Sequence, residues 1–183
     1  MEANPPGSAG SPVVIRRLER ADAEAFQAIR RDALVESPFA FGASPSDDLA
    51  SSLPWIIDAL ERPDQAVFGA FAPELVGTAG VFRVAGDKFA HKARIWGVYV
   101  RPTERGRGFA RRLVEAAVAF AESIAGIQQV HLVANAGSRA ASLYRSLGFV
   151  TWGIERGGML VDGVLSDEEH MVRMVSRSDT VGR

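Results

Sequence analysis

The chain has 183 residues and a net charge of −1, enough length for one domain with a substantial core and no charge excess pointing to nucleic acid or an anionic membrane surface. Its 47% hydrophobic and 23% charged residues are those of a globular protein, and no apolar run reaches the length of a membrane span. The absence of cysteine excludes disulfides, a thiolate nucleophile and thiolate-held zinc, and fits a reducing, cytoplasmic setting. Residues 1–11, rich in Pro, Gly, Ser and Ala and without the basic and apolar regions of a signal peptide, read as a disordered lead-in. Residues 12–175 read as the folded domain and residues 176–183 as a loose tail. A first strand covers residues 13–18. Asp22 then caps a helix over residues 23–36 whose apolar face is Phe26, Ile29, Ala33 and Leu34, and Ser37-Pro38 stops it. Phe39 and Phe41 follow in a loop, where they either plug the core or wall a substrate pocket. A second helix is expected over residues 47–60, starting after Ser46, with Pro54 splitting it into two short pieces.

Strands over residues 66–72 and 75–84, linked by Pro73-Glu74, form a hairpin. A turn at Gly86-Asp87-Lys88 leads to a strand over residues 94–100, inside which Gly97 marks a bulge, a close backbone approach or space for a neighbour such as Trp96. The next helix, residues 108–124, carries Phe109, Leu113, Ala117, Phe120 and Ile124 at helical spacing. A buried strand over residues 129–134 ends in the turn Asn135-Ala136-Gly137. Ser138 caps a short helix over residues 139–147, and Gly148 ends it with Phe149 placed for the hydrophobic contact of such caps. Strands over residues 149–155 and 169–175 close the sheet, with residues 157–167 as a polar, glycine-bearing connection. The order β-α-α-β-β-β-α-β-α-β-β, without strict βαβ alternation, predicts an α/β (α+β) chain: a mixed sheet with helices on both faces.

The central stretch runs from the strand over residues 94–100, stopped by Pro102, through Gly106 and Gly108 into the helix. The glycines let backbone approach a ligand closely. The first N–H groups of the helix have no intrahelical acceptors and the helix dipole favours negative charge there, which suits phosphate. The patterns G-x-x-x-x-G-K-[ST] and G-x-G-x-x-G are absent. What stands here is R-x-x-G-x-A, from Arg105 through Gly108 to Ala110, after a Y-V-x-P strand end. It resembles the coenzyme A pyrophosphate loop of the GNAT acetyltransferase superfamily. A second stretch, Asn135 to Phe149, resembles the N-x-x-x-x-A-x-x-L-Y-x-x-x-G-F signature of the same superfamily.

The resemblance implies the GNAT acyl-CoA N-acyltransferase fold, with a mixed, mostly antiparallel sheet splayed between strands 4 and 5. It implies acetyl-CoA as cofactor, its pyrophosphate at Arg105, Gly106, Arg107, Gly108, Phe109, Ala110 and Arg111 and its pantetheine along Val98, Tyr99 and Val100. It brings Asn135, Ser138, Arg139 and Ser142 to the cofactor, although Asn135 also suits a simple turn and Arg139 a solvated surface. It gives Tyr144, otherwise a core residue, the task of protonating the departing thiolate. The strand before the loop carries no carboxylate, so Glu36, Glu155 and His91 are the candidate bases, each also readable as a solvated surface residue. Phe39, Phe41 and Trp96 are candidate substrate walls, with Trp55 and Trp152 as further aromatic candidates. His91, His131 and His170 lack ligand spacing, so no metal site is expected. The implied activity is transfer of acetyl to a primary amine of a small molecule, a peptide, or a protein N-terminus or lysine, by direct attack in a ternary complex, in a fold that often dimerises. A longer acyl-CoA, a hydroxyl acceptor, or a catalytically silent acyl-CoA sensor are the alternatives.

Overall fold

The computed structural model describes residues 13–175. The expected lead-in and tail lie outside the described residues. Seven strands form one sheet: β1 (Val14–Arg17), β2 (Gln65–Phe71), β3 (Leu75–Arg83), β4 (Lys92–Val100), β5 (Gln129–Asn135), β6 (Val150–Val161) and β7 (Val164–Met174). Their order is β1-β2-β3-β4-β5-β7-β6, and every pairing is antiparallel except β4 with β5. Four helices cover it: α1 (Ala23–Glu36), α2 (Leu53–Glu61), α3 (Phe109–Ser123) and α4 (Arg139–Ser146). One core forms where Val114, Ala117 and Ala121 of α3 and Ala141 and Tyr144 of α4 meet Val81, Ile95, Val130 and Leu132. A second forms on the opposite face, where Phe26, Ile29 and Ala33 of α1 and Ile56 and Leu60 of α2 meet Val67 and Tyr99. The mixed, mostly antiparallel sheet with helices on both faces is as the sequence predicts. Among the described residues no helix is long and apolar enough to cross a membrane.

Three local expectations need correction. Asp22 does sit at the start of α1, but its carboxylate caps nothing there; it accepts from Arg16 at 2.7 and 2.8 Å and from the Glu19 N–H at 2.9 Å. The second helix starts six residues later than expected, after Ser52 rather than Ser46, because Pro54 suits only a first helical turn. A separate 3-10 turn, Leu49–Ser51, precedes it. Residues 157–167 are not a connection. They belong to a long β6–β7 hairpin whose tip is Asp162-Gly163, both at positive φ (48° and 80°), as a two-residue primed turn requires.

Candidate active site

β4 and β5 pair only through Lys92↔Gln129, Ala93↔Val130 and Arg94↔His131. Beyond that the strands part. β4 bulges there: Gly97 has φ +62°, and the register against β3 slips between Thr78 and Gly80. A bulge bends its strand, and Thr78 Oγ1 fixes this one by donating to the Gly97 carbonyl at 3.1 Å. The gap is a cavity of about 350 Å³, walled by residues 95–98 of β4, 132–135 of β5, Ser138, Ala140 and Tyr144 at α4, and the loop over residues 36–40.

Two caps position Tyr144. At the start of α4, Ser138 Oγ accepts the Ala141 N–H at 3.1 Å. At its end, Gly148 (φ +84°) and Phe149 donate back to the Arg145 and Tyr144 carbonyls at 3.0 and 3.1 Å, a Schellman motif. The Phe149 ring packs edge-on to Tyr144 at 6.1 Å. Tyr144 is buried in the cavity wall, and burial pushes its phenol well above the ordinary value. Its hydroxyl has no hydrogen-bond partner among the described residues, yet it is not sealed from the cavity. It is a neutral donor with an unused proton.

The phosphate-loop candidate sits at the start of α3. Gly106 and Gly108 are left-handed (φ +80° and +79°), a conformation that L side chains resist. A Cβ at either would meet nothing within 4 Å, so the loop is open on that side. Among the described residues, the N–H groups from Gly106 to Arg111 donate to no loop or cap acceptor. The arginines are more committed than the sequence suggests. Arg105 Nε donates to the Val100 carbonyl at 3.0 Å and its Nη2 to Glu36 at 2.6 Å. Arg107 pairs with Glu104 and lies over Phe109, and Arg111 donates to Ser146 Oγ at 2.7 Å. Arg139 is exposed and makes no ion pair among the described residues. What the loop offers an anion is therefore first its backbone N–H groups and only then its arginines.

Glu36 stands on the cavity wall. The Ser37 hydroxyl, with help from Arg105 and against the opposing effect of burial, holds its carboxyl below the usual range. Glu155 lies on β6 outside the cavity, exposed, and accepts from His170 Nε2 at 3.0 Å. The hairpin brings Glu155, Glu168 and His170 within 4.8 Å of one another, a grouping invisible in their spacing. Phe39 and Trp96 line the cavity. Phe41 does not: it is buried against Tyr99 and Arg30. Trp152 is exposed beside His170. Asn135, whose amide donates to Ser166 Oγ at 2.5 Å, and Ser138 line the cavity, whereas Ser142 is on the outer face of α4. Tyr99 points into the α1 core, leaving only its backbone toward the splayed edge.

A second cavity, about 560 Å³, lies on the α1–α2 face, and Trp96 walls both. Arg30 and Asp48, which form a buried ion pair at 3.0 Å, are among its residues. Sequence reasoning passed over Arg30. The signal was available: it is a charge at i+4 from Phe26, on the face of α1 that also holds Ile29 and Ala33.

The family model described as Acetyltransferase (GNAT) family matches residues 26–149. The chain belongs to the GNAT acetyltransferase family. Acetyl-CoA is the acyl donor of that family. A sequence search of curated proteins finds no match. Among solved structures, a GNAT-family acetyltransferase from Streptococcus pneumoniae aligns with a TM-score of 0.80 at 18% identity, covering 90% of this chain and 100% of that one. yncA from Salmonella typhimurium, solved with its cofactor acetyl-CoA, gives 0.79 at 22% identity over 91% and 96%. A phosphinothricin acetyltransferase from Sinorhizobium meliloti, in complex with acetyl-CoA, gives 0.78 at 16% over 93% and 92%. At these identities the likeness carries the GNAT fold, and the parted β4 and β5 of this chain belong to it.

Proposed function

We propose that this GNAT protein uses acetyl-CoA to acetylate a primary amine, on a small molecule or a peptide, by direct attack in a ternary complex in the cytoplasm. The observation that carries the reading is that Tyr144, a buried residue, presents to the cavity between the splayed strands a hydroxyl with no hydrogen-bond partner among the described residues. The chain also fits the donor: among the described residues N–H groups 106–111 are unengaged, and the space above Gly106 and Gly108 is open. When bound there, acetyl-CoA supplies the activated acetyl thioester.

The rest is done by the chain. The N–H groups from Gly106 to Arg111 receive the pyrophosphate, and Arg139, exposed and without an ion pair among the described residues, is the candidate for a further phosphate contact. The β4 edge beyond Arg94, unpaired with β5, offers backbone groups of Val98 to Val100 to the pantetheine. The Val98 N–H is the candidate donor to the acetyl oxygen as charge develops on it. The amine nitrogen bonds to the acetyl carbon while the carbon–sulfur bond breaks. Tyr144 gives its proton to the departing sulfur and is reprotonated from solvent. Glu36, ionised and held by Ser37 and Arg105, is a poor base but a good anchor, so it draws the incoming ammonium to the rim and the proton leaves through water. Glu155 lies outside the cavity and has no part in this scheme.

Calorimetric titration with acetyl-CoA tests the reading, with Gly108→Glu as control. Saturable binding that the folded variant lacks supports it, and an amine panel with Tyr144→Phe follows. A folded wild type that binds neither acetyl-CoA nor longer acyl-CoAs overturns it.

A further inference from the structure

Arg30 is 7% exposed. Its Nε and Nη2 donate to Asp48 at 3.2 and 3.0 Å, while Nη1 has no partner among the described residues. Phe41 and Trp96 cover the guanidinium, with ring centres 5.0 and 5.5 Å from its carbon. Aromatic faces answer the positive charge, but they do not supply the oxygen that an in-plane N–H needs. A buried donor left over in this way calls for an explanation. Nη1 points toward the β4 bulge: a Cβ built on Gly97 would lie 3.6 Å from it. Gly97 and Trp96 wall the splay cavity, and Trp96 and Arg30 wall the second cavity. Nη1 therefore stands at the partition between the proposed reaction centre and a chamber lined by the aromatic rings of Trp55, Phe82 and Trp96.

The geometry points to recognition of an α-amino carbonyl compound: an amino-acid amide or a peptide N-terminal residue with an apolar or aromatic side chain. This rests on the acetyltransferase reading above and names its acceptor. The amine faces the splay cavity, Arg30 Nη1 donates to the carbonyl oxygen two bonds from the amine-bearing carbon, and the side chain fills the second cavity. Asp48 already balances the charge of Arg30, so the pair offers a hydrogen bond rather than net positive charge. Asp47, kept ionised by the Ser44 N–H, adds a carboxylate to the same cavity. Both features favour a neutral carbonyl over a free carboxylate. A side chain at position 97 would start in van der Waals contact with Nη1, its Cβ 3.6 Å away, and so would compete with a bound carbonyl for that space.

The test compares phenylalaninamide with phenethylamine as acceptors under saturating acetyl-CoA, each kcat/KM taken from its pH-independent plateau so that both count as free amines. They share ring and amine and differ in the carboxamide. The expected result is a preference for the amide of about 10- to 100-fold in kcat/KM, the size of one hydrogen bond from a charged donor. Arg30→Lys keeps a cation for Asp48 but lacks Nη1, and should bring the two amines to about equal rates with acetyl-CoA affinity unchanged. Trp55→Ala, on the exposed wall, should lower kcat/KM for phenylalaninamide and leave glycinamide unchanged. If Arg30→Lys does not fold, the wild-type ratio and Trp55→Ala decide. Equal wild-type rates, a preference for phenylalanine over its amide, or acetyl-CoA binding with neither amine acetylated would overturn this inference and leave donor binding intact. Failure to bind acetyl-CoA would instead remove the acetyltransferase reading beneath it.

Discussion

Replacing Gly108 by alanine separates backbone strain from packing. Gly108 is the left-handed residue before α3, with φ +79° and ψ +5°. A Cβ there meets no heavy atom within 4 Å, so nothing is displaced and the cost is conformational alone. Holding an L residue left-handed costs about 1–2 kcal/mol. For a chain of this length that corresponds to a fall in Tm of about 2–8 °C. Gly108→Asn should lose less, because Asn tolerates this region better. Binding should respond differently. In both variants the new Cβ enters the open space beside the proposed pyrophosphate site, so acetyl-CoA affinity should fall by at least about tenfold, or ~1.4 kcal/mol. Thermal melting and calorimetric titration of the three proteins read the two effects separately. An alanine variant that melts with the wild type would refute the strain argument. Wild-type affinity in both variants would refute the placement of the pyrophosphate.

Tyr144→Phe should lower kcat by about 10²- to 10⁴-fold with little change in acetyl-CoA affinity, and the wild-type rate should show no loss of Tyr144's proton below pH about 10, its value being raised by burial. Gly80→Ala sets a Cβ 2.3 Å from Trp96 Cε2, so the indole must move; a loss of about 1–3 kcal/mol in urea unfolding and a shift in tryptophan fluorescence should accompany a higher KM for the acceptor. Glu169 is 2% exposed and its carboxyl is held below the usual range, first by the Thr151 hydroxyl and then by Arg145, 2.5 Å away. Its contribution is therefore complete above the unfolded value near pH 4.5 and is lost as pH falls through the lower folded value. Glu169→Gln should cost about 1–3 kcal/mol at pH 7, and the gap from wild type should narrow in urea titrations below pH about 4. Glu36 is likewise shifted down, so it stays ionised through neutrality; the acid limb of kcat/KM should follow the acceptor ammonium and survive Glu36→Gln.

What was legible in the sequence was mostly local. The Schellman end of α4 can be read from Leu147-Gly148-Phe149, because only a glycine there accepts the left-handed turn cheaply. Gly97 signals its bulge by being a glycine in a strand of branched and aromatic residues. The closing strand pair is legible but its length is not, because Gly157 and Gly158 look like turn formers, while the turn itself is Asp162-Gly163, a stronger hairpin signal. In the structure Gly158 serves another end, since a Cβ there would crowd Glu155 and Glu168 at 3.0–3.1 Å. The site was legible where it follows the backbone, at the 105–110 loop and at Tyr144. It was illegible where partners come from far along the chain. Arg105 turning to Glu36 spans 69 residues, and Arg30 meeting Asp48 joins a helix to a loop with no regular pattern.

The parting of β4 from β5 also leaves two strand edges facing each other inside one sheet, with backbone donors and acceptors that neither neighbour satisfies. Unpaired edges are where foreign strands add and where chains begin to stick together. Here they are set back behind the 36–40 loop and α4, so the hazard grows with every fluctuation that lifts those covers. A ligand lying along the gap would act as the missing strand. The free protein should then be the form most prone to aggregate, and coenzyme A in the buffer should protect solubility as well as slow amide exchange across residues 95–100.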